Sequence, residues 1–336
     1  MQVKNESGTV TPKILADLND ADRERLLDNH PIREREYIMP TPMMGRAYAV
    51  IRERVWARRT GAVFYAAPRT GKTRCAFATK DHLMGEFPKL HITLLSARRS
   101  VRPTETHMFR MILEAEHHAL SSRANADVLF ENTVADIAIK TKSKGGGQYV
   151  LLIDEMQNLN HSDLQQLVSL HNALELQKIK MTTISFAQPE ILHRRTALLA
   201  SNDRQIIARF LSEPMHYNGC SSVGDLRRIL QTFDELSEFP EDSGWSYTRF
   251  FFPKAFEHGF RLQAWAETLW QSLSRAASAG GTGSIPMEHT CLSIENLLLS
   301  TRHQDCSNFQ LDTSDIDAAV DSSQLASFNA VMEGQG

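Results

Sequence analysis

Tyr149-Val150-Leu151-Leu152-Ile153-Asp154-Glu155 is the stretch on which the reading of this chain turns. An apolar run closing in two carboxylates is the pattern of a central parallel strand, buried on both faces and delivering its charge at its carboxyl end. Upstream stands Ala66-Ala67-Pro68-Arg69-Thr70-Gly71-Lys72-Thr73. That segment has what a phosphate-cradling loop needs: inward-pointing backbone N–H groups, a lysine for β and γ phosphates, and a hydroxyl for a magnesium ion. Strand carboxyl ends of a parallel sheet face the ligand crevice, so Thr73 and Asp154 are expected to hold the metal and Glu155 to stand near an attacking water. Together the two motifs read as a nucleotide triphosphatase.

Ala66 departs from the usual glycine. Alanine fits there if φ is negative, as the preceding strand Ala62-Val63-Phe64-Tyr65 leads one to expect, and Gly71 is kept. Each motif alone has a plainer explanation, a capped strand-to-helix turn or the acidic first turn of a helix. Their joint occurrence, in this order, favours the nucleotide.

The 336 residues, 42% hydrophobic and 23% charged, are enough for an α/β core and a second, smaller domain. No run of eighteen apolar residues occurs and the start lacks an apolar signal core, so a cytoplasmic protein without membrane contact is expected. Cys75, Cys220, Cys291 and Cys306 lack metal-ligand spacing and read as reduced thiols. The net charge of −3 hides a polarity. Residues 41–110 hold fourteen Lys and Arg against four acids, whereas 303–336 hold six acids and no Lys or Arg. Such a basic block suits a phosphate-rich partner, nucleic acid above all, although solvated helix faces give the same counts.

Along the chain, a short helix is expected around Pro12 to Leu27, then a proline-punctuated stretch and a helix from Gly45 to Arg59. Strands are expected at Ala62 to Tyr65, Leu90 to Leu95, Gln148 to Ile153 and Lys180 to Phe186. Helices should run from Thr73 to Met84, Thr106 to Ser121, Val128 to Lys142 and Ser162 to Leu176. This alternation predicts a doubly wound parallel sheet with helices on both faces. Beyond Ser221 only helices are expected: Asp225 to Leu236, Lys254 to Leu273 and Met287 to Leu299, with Gly280 to Gly283 as a flexible break and a possible short helix at Ser314 to Val320.

These residues resemble the AAA+ P-loop superfamily, and within it the TnsC family of transposition regulators, with MuB and ORC/Cdc6-like initiators as more distant relatives. The likeness rests on Tyr37-Ile38-Met39-Pro40-Thr41-Pro42, Ala67 to Thr73, Leu152-Ile153-Asp154-Glu155-Met156-Gln157-Asn158-Leu159, and Ala187-Gln188-Pro189-Glu190-Ile191 before Arg209-Phe210. It covers about residues 35 to 265, and the short chain is similar to the compact TnsC of CRISPR-associated transposons. It implies a domain order: an N-terminal extension (1–40), an αβα nucleotide-binding domain (41–218), a small all-helical lid (219–300) and an acidic, largely flexible tail (301–336).

The resemblance implies ATP and Mg²⁺ as cofactors and assigns roles. Tyr37, Ile38, Thr41 and Pro42 would lie near the adenine, and Pro68, Arg69, Thr70, Gly71, Lys72, Thr73 and Arg74 around the phosphates. Gln188, or less plausibly Ser185, would sense the γ phosphate. Arg204 or Arg209 would reach a neighbouring subunit's nucleotide, where such an arginine accelerates phosphoryl transfer by about 10³ to 10⁵. Arg261 would be the lid's sensor. The resemblance further implies a ring or helical homo-oligomer around double-stranded DNA, with a target-selection factor and transposase as partners. Two basic segments would face the DNA together: Arg98, Arg99, Arg102 and Thr104 after the second strand, and Lys140, Lys142 and Lys144 before the third. Both carry cations and hydroxyls without aromatic platforms, chemistry for duplex phosphates.

Other readings share some of these residues. Asp154-Glu155-Met156-Gln157 fits the DExQ box of a helicase, but the residues after Glu190 show no second alternating β/α core. Gly145-Gly146-Gly147-Gln148 matches an ABC signature only faintly. A scaffold that binds ATP and DNA and scarcely hydrolyses, or a signalling ATPase that binds protein and not DNA, stays open.

Overall fold

A computed structural model describes residues 20–100, 104–118, 125–277 and 283–333. Contacts divide it into two units: one spans Met43–Asn218, and the other joins the described residues up to Pro42 with those from Gly219 onward. The second unit opens with α1 (Asp20–Asp28) and α2 (Pro31–Glu34). Helix α3 (Pro42–Trp56) follows, and the αβ unit proper is β1 (Gly61–Tyr65), α4 (Lys72–Glu86), β2 (His91–Ser96), α5 (His107–Ala115), α6 (Ala126–Ser143), β3 (Gln148–Asp154), α7 (His161–Leu176), β4 (Lys180–Ala187), α8 (Glu190–Ala200), α9 (Arg204–Phe210) and β5 (Pro214–His216).

All five strands run parallel in the order β2-β3-β4-β1-β5. Every residue of β3 is buried, and its side chains alternate between two cores. Tyr149, Leu151 and Ile153 join the cluster formed with α5 to α9; Val150 and Leu152 join Phe64, Ile184 and Phe186 under α3 and α4. Period two in the strand and 3.6 in the helices meet here, which is the layered α/β arrangement that the sequence pattern requires.

In the helical unit, α10 (Val223–Gln231), α11 (Tyr247–Phe251), α12 (Pro253–Glu257), α13 (Ala266–Ala277), α14 (Met287–Thr301), α15 (Thr313–Ser322) and α16 (Leu325–Glu333) follow in order. Two expectations need correction. The helix read over Lys254 to Leu273 is interrupted: Gly259 takes φ 96, and the N–H of Phe260 returns to the carbonyl of Ala255 at 2.9 Å, closing α12. The acidic tail, expected to be largely flexible apart from a short helix at Ser314 to Val320, forms that helix as α15 and adds α16, with Ile316, Ala319 and Val320 entering the same core as Phe309, Leu311 and Leu325.

Smaller differences are physical too. Helix α5 ends at Ala115, six residues short of the expectation, and Pro31 opens a helical turn because its fixed φ suits the first helical position. Strand β5, three residues long, carries no periodic signal. The expected helix start at Pro12 and the Gly280–Thr282 break lie outside the described residues.

Strand β1 lies close against β4 at its start. A Cβ added to Gly61 would sit 2.1 Å from the carbonyl oxygen of Thr183. Gly61→Ala is therefore expected to lower stability by about 1–3 kcal/mol, the ordinary effect of overpacking, measured by denaturant unfolding. An unchanged midpoint would mean that the β1–β4 register is looser than described.

Candidate functional site

Parallel strands bring the loops after β1, β2, β3 and β4 to one edge. Ala66 continues the β1–β4 ladder, its N–H donating to Ala187 O at 3.1 Å, and it is absent from the residues with positive φ, as the alanine requires. The chain then turns through Arg69 (φ 65) and Gly71 (φ 96) into α4, whose N-terminal N–H groups are left for an anion. Thr70 Oγ1 closes the turn on Ala67 O at 3.0 Å. Lys72 is buried, and its ammonium donates to the carbonyls of Ala66 and Ala67, each at 2.8 Å. Burial lowers its pKa, against the pull of Glu155, Asp154 and Glu190.

Thr73 Oγ1 donates to Asp154 Oδ2 at 2.7 Å. Burial raises the Asp154 pKa, countered by that hydrogen bond. A hydroxyl and a carboxylate in contact form the small oxygen set that magnesium uses, its remaining positions filled by water and phosphate oxygens, so the residues fit the ion. When bound, it would be held by Thr73 and Asp154 and would neutralise phosphate charge.

Next in sequence, Glu155 takes φ 56 and its N–H donates to Asp154 Oδ1 at 3.0 Å. Its Oε2 accepts from Gln188 Nε2 at 3.1 Å and from Gln157 Nε2. The geometry thus brings Lys72, Thr73, Asp154, Glu155 and Gln188 to one edge. Ser185, the other sensor candidate, lies in β4 and is fully buried. Gln157 was read only as part of a motif; its place two residues after the glutamate was the available signal.

Residues 57–195 match the family model of an AAA domain. That stretch is similar to an AAA domain. Among solved structures it is similar to the Aeropyrum pernix ORC2 protein in ADPNP–ADP complexes, with TM-score 0.59 and 13% identity, covering 88% of this chain and 72% of that one. Aeropyrum pernix ORC1 in complex with DNA gives TM-score 0.50 and 11% identity over 85% and 66% of the two chains. Drosophila ORC bound to DNA gives 0.50 and 16% over 91% and 70%. At these identities the likeness establishes an AAA+ fold. No curated protein matches the sequence.

The remaining expected site residues fall in different places. Tyr37, Ile38, Thr41, Pro42 and Arg261 belong to the helical unit, and the AAA-domain loop to the other. Tyr37 donates to Glu295 Oε1 at 2.6 Å; burial, with Cys291 and Glu295 beside it, raises its pKa. Arg261 lies over the Phe256 ring at 3.5 Å and donates to Phe256 O and Phe260 O at 2.9 and 2.6 Å. Arg209 donates to Asn172 Oδ1 at 2.9 Å and Gln205 Oε1 at 3.4 Å, while Arg204 is exposed.

The two basic segments do not share a face. Arg98, Arg99 and Thr104 follow β2 at the nucleotide edge, where the N–H of Ala97 donates to Asp154 O at 2.8 Å. Lys142 and Lys144 stand at the opposite edge: Lys144 Nζ donates to Leu90 O at 3.0 Å, just before β2 begins. Two parallel neighbours put a loop that follows one strand and a loop that precedes the other about 20 Å apart, six residues at about 3.3 Å each. Lys140 is also accounted for, bridging Glu116 at 2.6 Å and Asp136 at 2.8 Å. Arg102 lies outside the described residues.

Glu116 is where that structural role can be read. Burial would raise its pKa, but hydrogen bonds from His91, Lys140 and Thr93 outweigh burial and hold it at about 2. A carboxylate depressed in the folded state stabilises above its unfolded pKa, so this contribution is expected to disappear as pH falls from about 4.5 to about 2. Lys140→Met should cost about 1–3 kcal/mol in unfolding at neutral pH, since it leaves a buried acceptor short of a donor, and should leave DNA affinity unchanged. Weakened DNA binding with intact stability would restore Lys140 to a nucleic-acid role.

Proposed function

We propose that this chain is an ATP-hydrolysing switch that assembles on duplex DNA and links a target-selection factor to a transposase. The observation that carries the nucleotide half is the contact of Thr73 with Asp154 beside a Glu155 held at the same edge by Gln188. ATP would draw Lys72 from the carbonyls of Ala66 and Ala67 to its β and γ phosphates. Glu155 would polarise the attacking water and Gln188 would read the γ phosphate. Arg204 is the better residue to act on a neighbour. Its side chain is exposed and held by no hydrogen bond or ion pair among the described residues, whereas Arg209 must first leave Asn172 and Gln205.

The DNA half is supported by similarity to ORC structures that contain DNA and by Arg98 and Arg99 at the nucleotide edge. Sharing that edge lets the occupant of the phosphate loop alter the DNA contact. The transposition role follows from the TnsC resemblance: ATP-bound subunits, in a ring or helix, would mark a target, and hydrolysis would release it. The helical unit would serve as the lid. Among the described residues no helix is long and apolar enough to cross a membrane.

Binding to a random-sequence duplex, measured without nucleotide, with ADP and with a non-hydrolysable ATP analogue, tests this reading. DNA-bound oligomers are expected in the ATP-like state alone, and Lys72→Ala should abolish them. Arg98→Ala and Arg99→Ala should each weaken binding and reduce the log–log salt slope by about one for each phosphate that the arginine neutralises. If DNA is ignored in every state, a signalling ATPase that binds protein replaces the proposal.

A further inference from the structure

Gln157 lies in a 3₁₀ turn, Met156–Asn158, directly after the two carboxylates, and its amide is engaged at both ends. Nε2 donates to Glu155 Oε2, and Oε1 accepts from the backbone N–H of Gln188 at 2.9 Å. Gln188 closes a triangle by donating its own Nε2 to the same Glu155 oxygen at 3.1 Å. Below it, the Glu155 backbone is held in the left-handed region, φ 56, with its N–H on Asp154 Oδ1. Among the described residues every side-chain hydrogen bond to Glu155 goes to Oε2. Oε1 is left with its lone pairs for another donor.

We infer that Gln157 is a positioning residue for ATP hydrolysis, one amide that sets the spacing between the base Glu155 and the phosphate-reading residue Gln188. The inference rests on the ATPase reading and deepens it. A general base must place one oxygen within hydrogen-bond reach of the water it polarises. Two amides on Oε2 fix the carboxylate's rotation and turn Oε1 outward as that oxygen. Gln188 has two N–H groups on Nε2, one for Glu155 and one for a γ phosphate. It can serve both only while its backbone is pinned, and the pin is Gln157 Oε1. Movement of the phosphate reader thereby reaches the base by two routes, directly through its own amide and through Gln157.

Two substitutions separate the ends of this amide. Gln157→Glu keeps an oxygen that can accept from the Gln188 N–H but cannot donate to Glu155; Gln157→Met keeps the size and does neither. Steady-state ATP turnover, affinity for a fluorescent ATP analogue and thermal midpoint are measured for both variants, with wild type and Glu155→Gln as references. Both should lose about tenfold to a hundredfold in kcat, with KM, nucleotide affinity and midpoint little changed. Gln157→Glu should be at least as impaired as Gln157→Met. Wild-type turnover in Gln157→Glu would overturn the inference, as would parallel loss of nucleotide affinity and midpoint, which marks a structural prop. If wild type shows no turnover that Glu155→Gln removes, the ATPase reading fails and the positioning role falls with it. If Glu155→Gln stops turnover and Gln157→Glu matches wild type, the positioning role alone fails.

Discussion

Parallel pairing of β1, β3 and β4 is the constraint from which the site follows. Tyr65 is opposite Ala187 and Ile153 opposite Ser185, so the residues just past each strand emerge side by side. Three segments far apart in sequence thereby supply a phosphate loop, a pair of carboxylates and an amide within hydrogen-bond reach of one another. Burial of all seven residues of β3 makes that placement firm, because a one-residue slip would turn Tyr149, Leu151 and Ile153 into the wrong core. The chemistry hangs on the Thr73–Asp154 contact, which ties the start of α4 to the end of β3.

Much of this was legible in the residues themselves. A run apolar on both faces announces a central strand, and alternating β and α patterns announce a parallel sheet, so four of the five strands could be placed closely, and the helices between them apart from the early end of α5. What escaped reading has definite causes. Three-residue β5 is too short for any period. Gly259 ends a helix from inside an apparently continuous pattern. In the C-terminal segment the spacing of Ile316, Ala319 and Val320 marked α15, whereas the acidic composition around it gave no mark of α16.

Charge was the least reliable signal. Counting Lys and Arg along a sequence says how much positive charge exists and nothing about which end of a sheet carries it. Lys140 is engaged by Glu116 and Asp136, and Lys142 in the last turn of α6 and Lys144 at its C-terminal cap stand where cations also suit the helix dipole. Arg98 and Arg99 come from the opposite edge. By contrast, neutral Gln157 and Gln188, inconspicuous in any charge count, hold the carboxylate on which the proposed chemistry depends.

Central to the proposed switch is an edge, carrying Lys72, Asp154 and Glu155, that hydrolyses ATP in a manner coupled to DNA. Phosphate release by the purified chain, with and without duplex DNA and with Glu155→Gln as reference, tests it most directly. The expected result is magnesium-dependent turnover that changes when duplex is added and is lost in Glu155→Gln. Turnover that survives Glu155→Gln, or that is indifferent to DNA at saturating duplex, would contradict it.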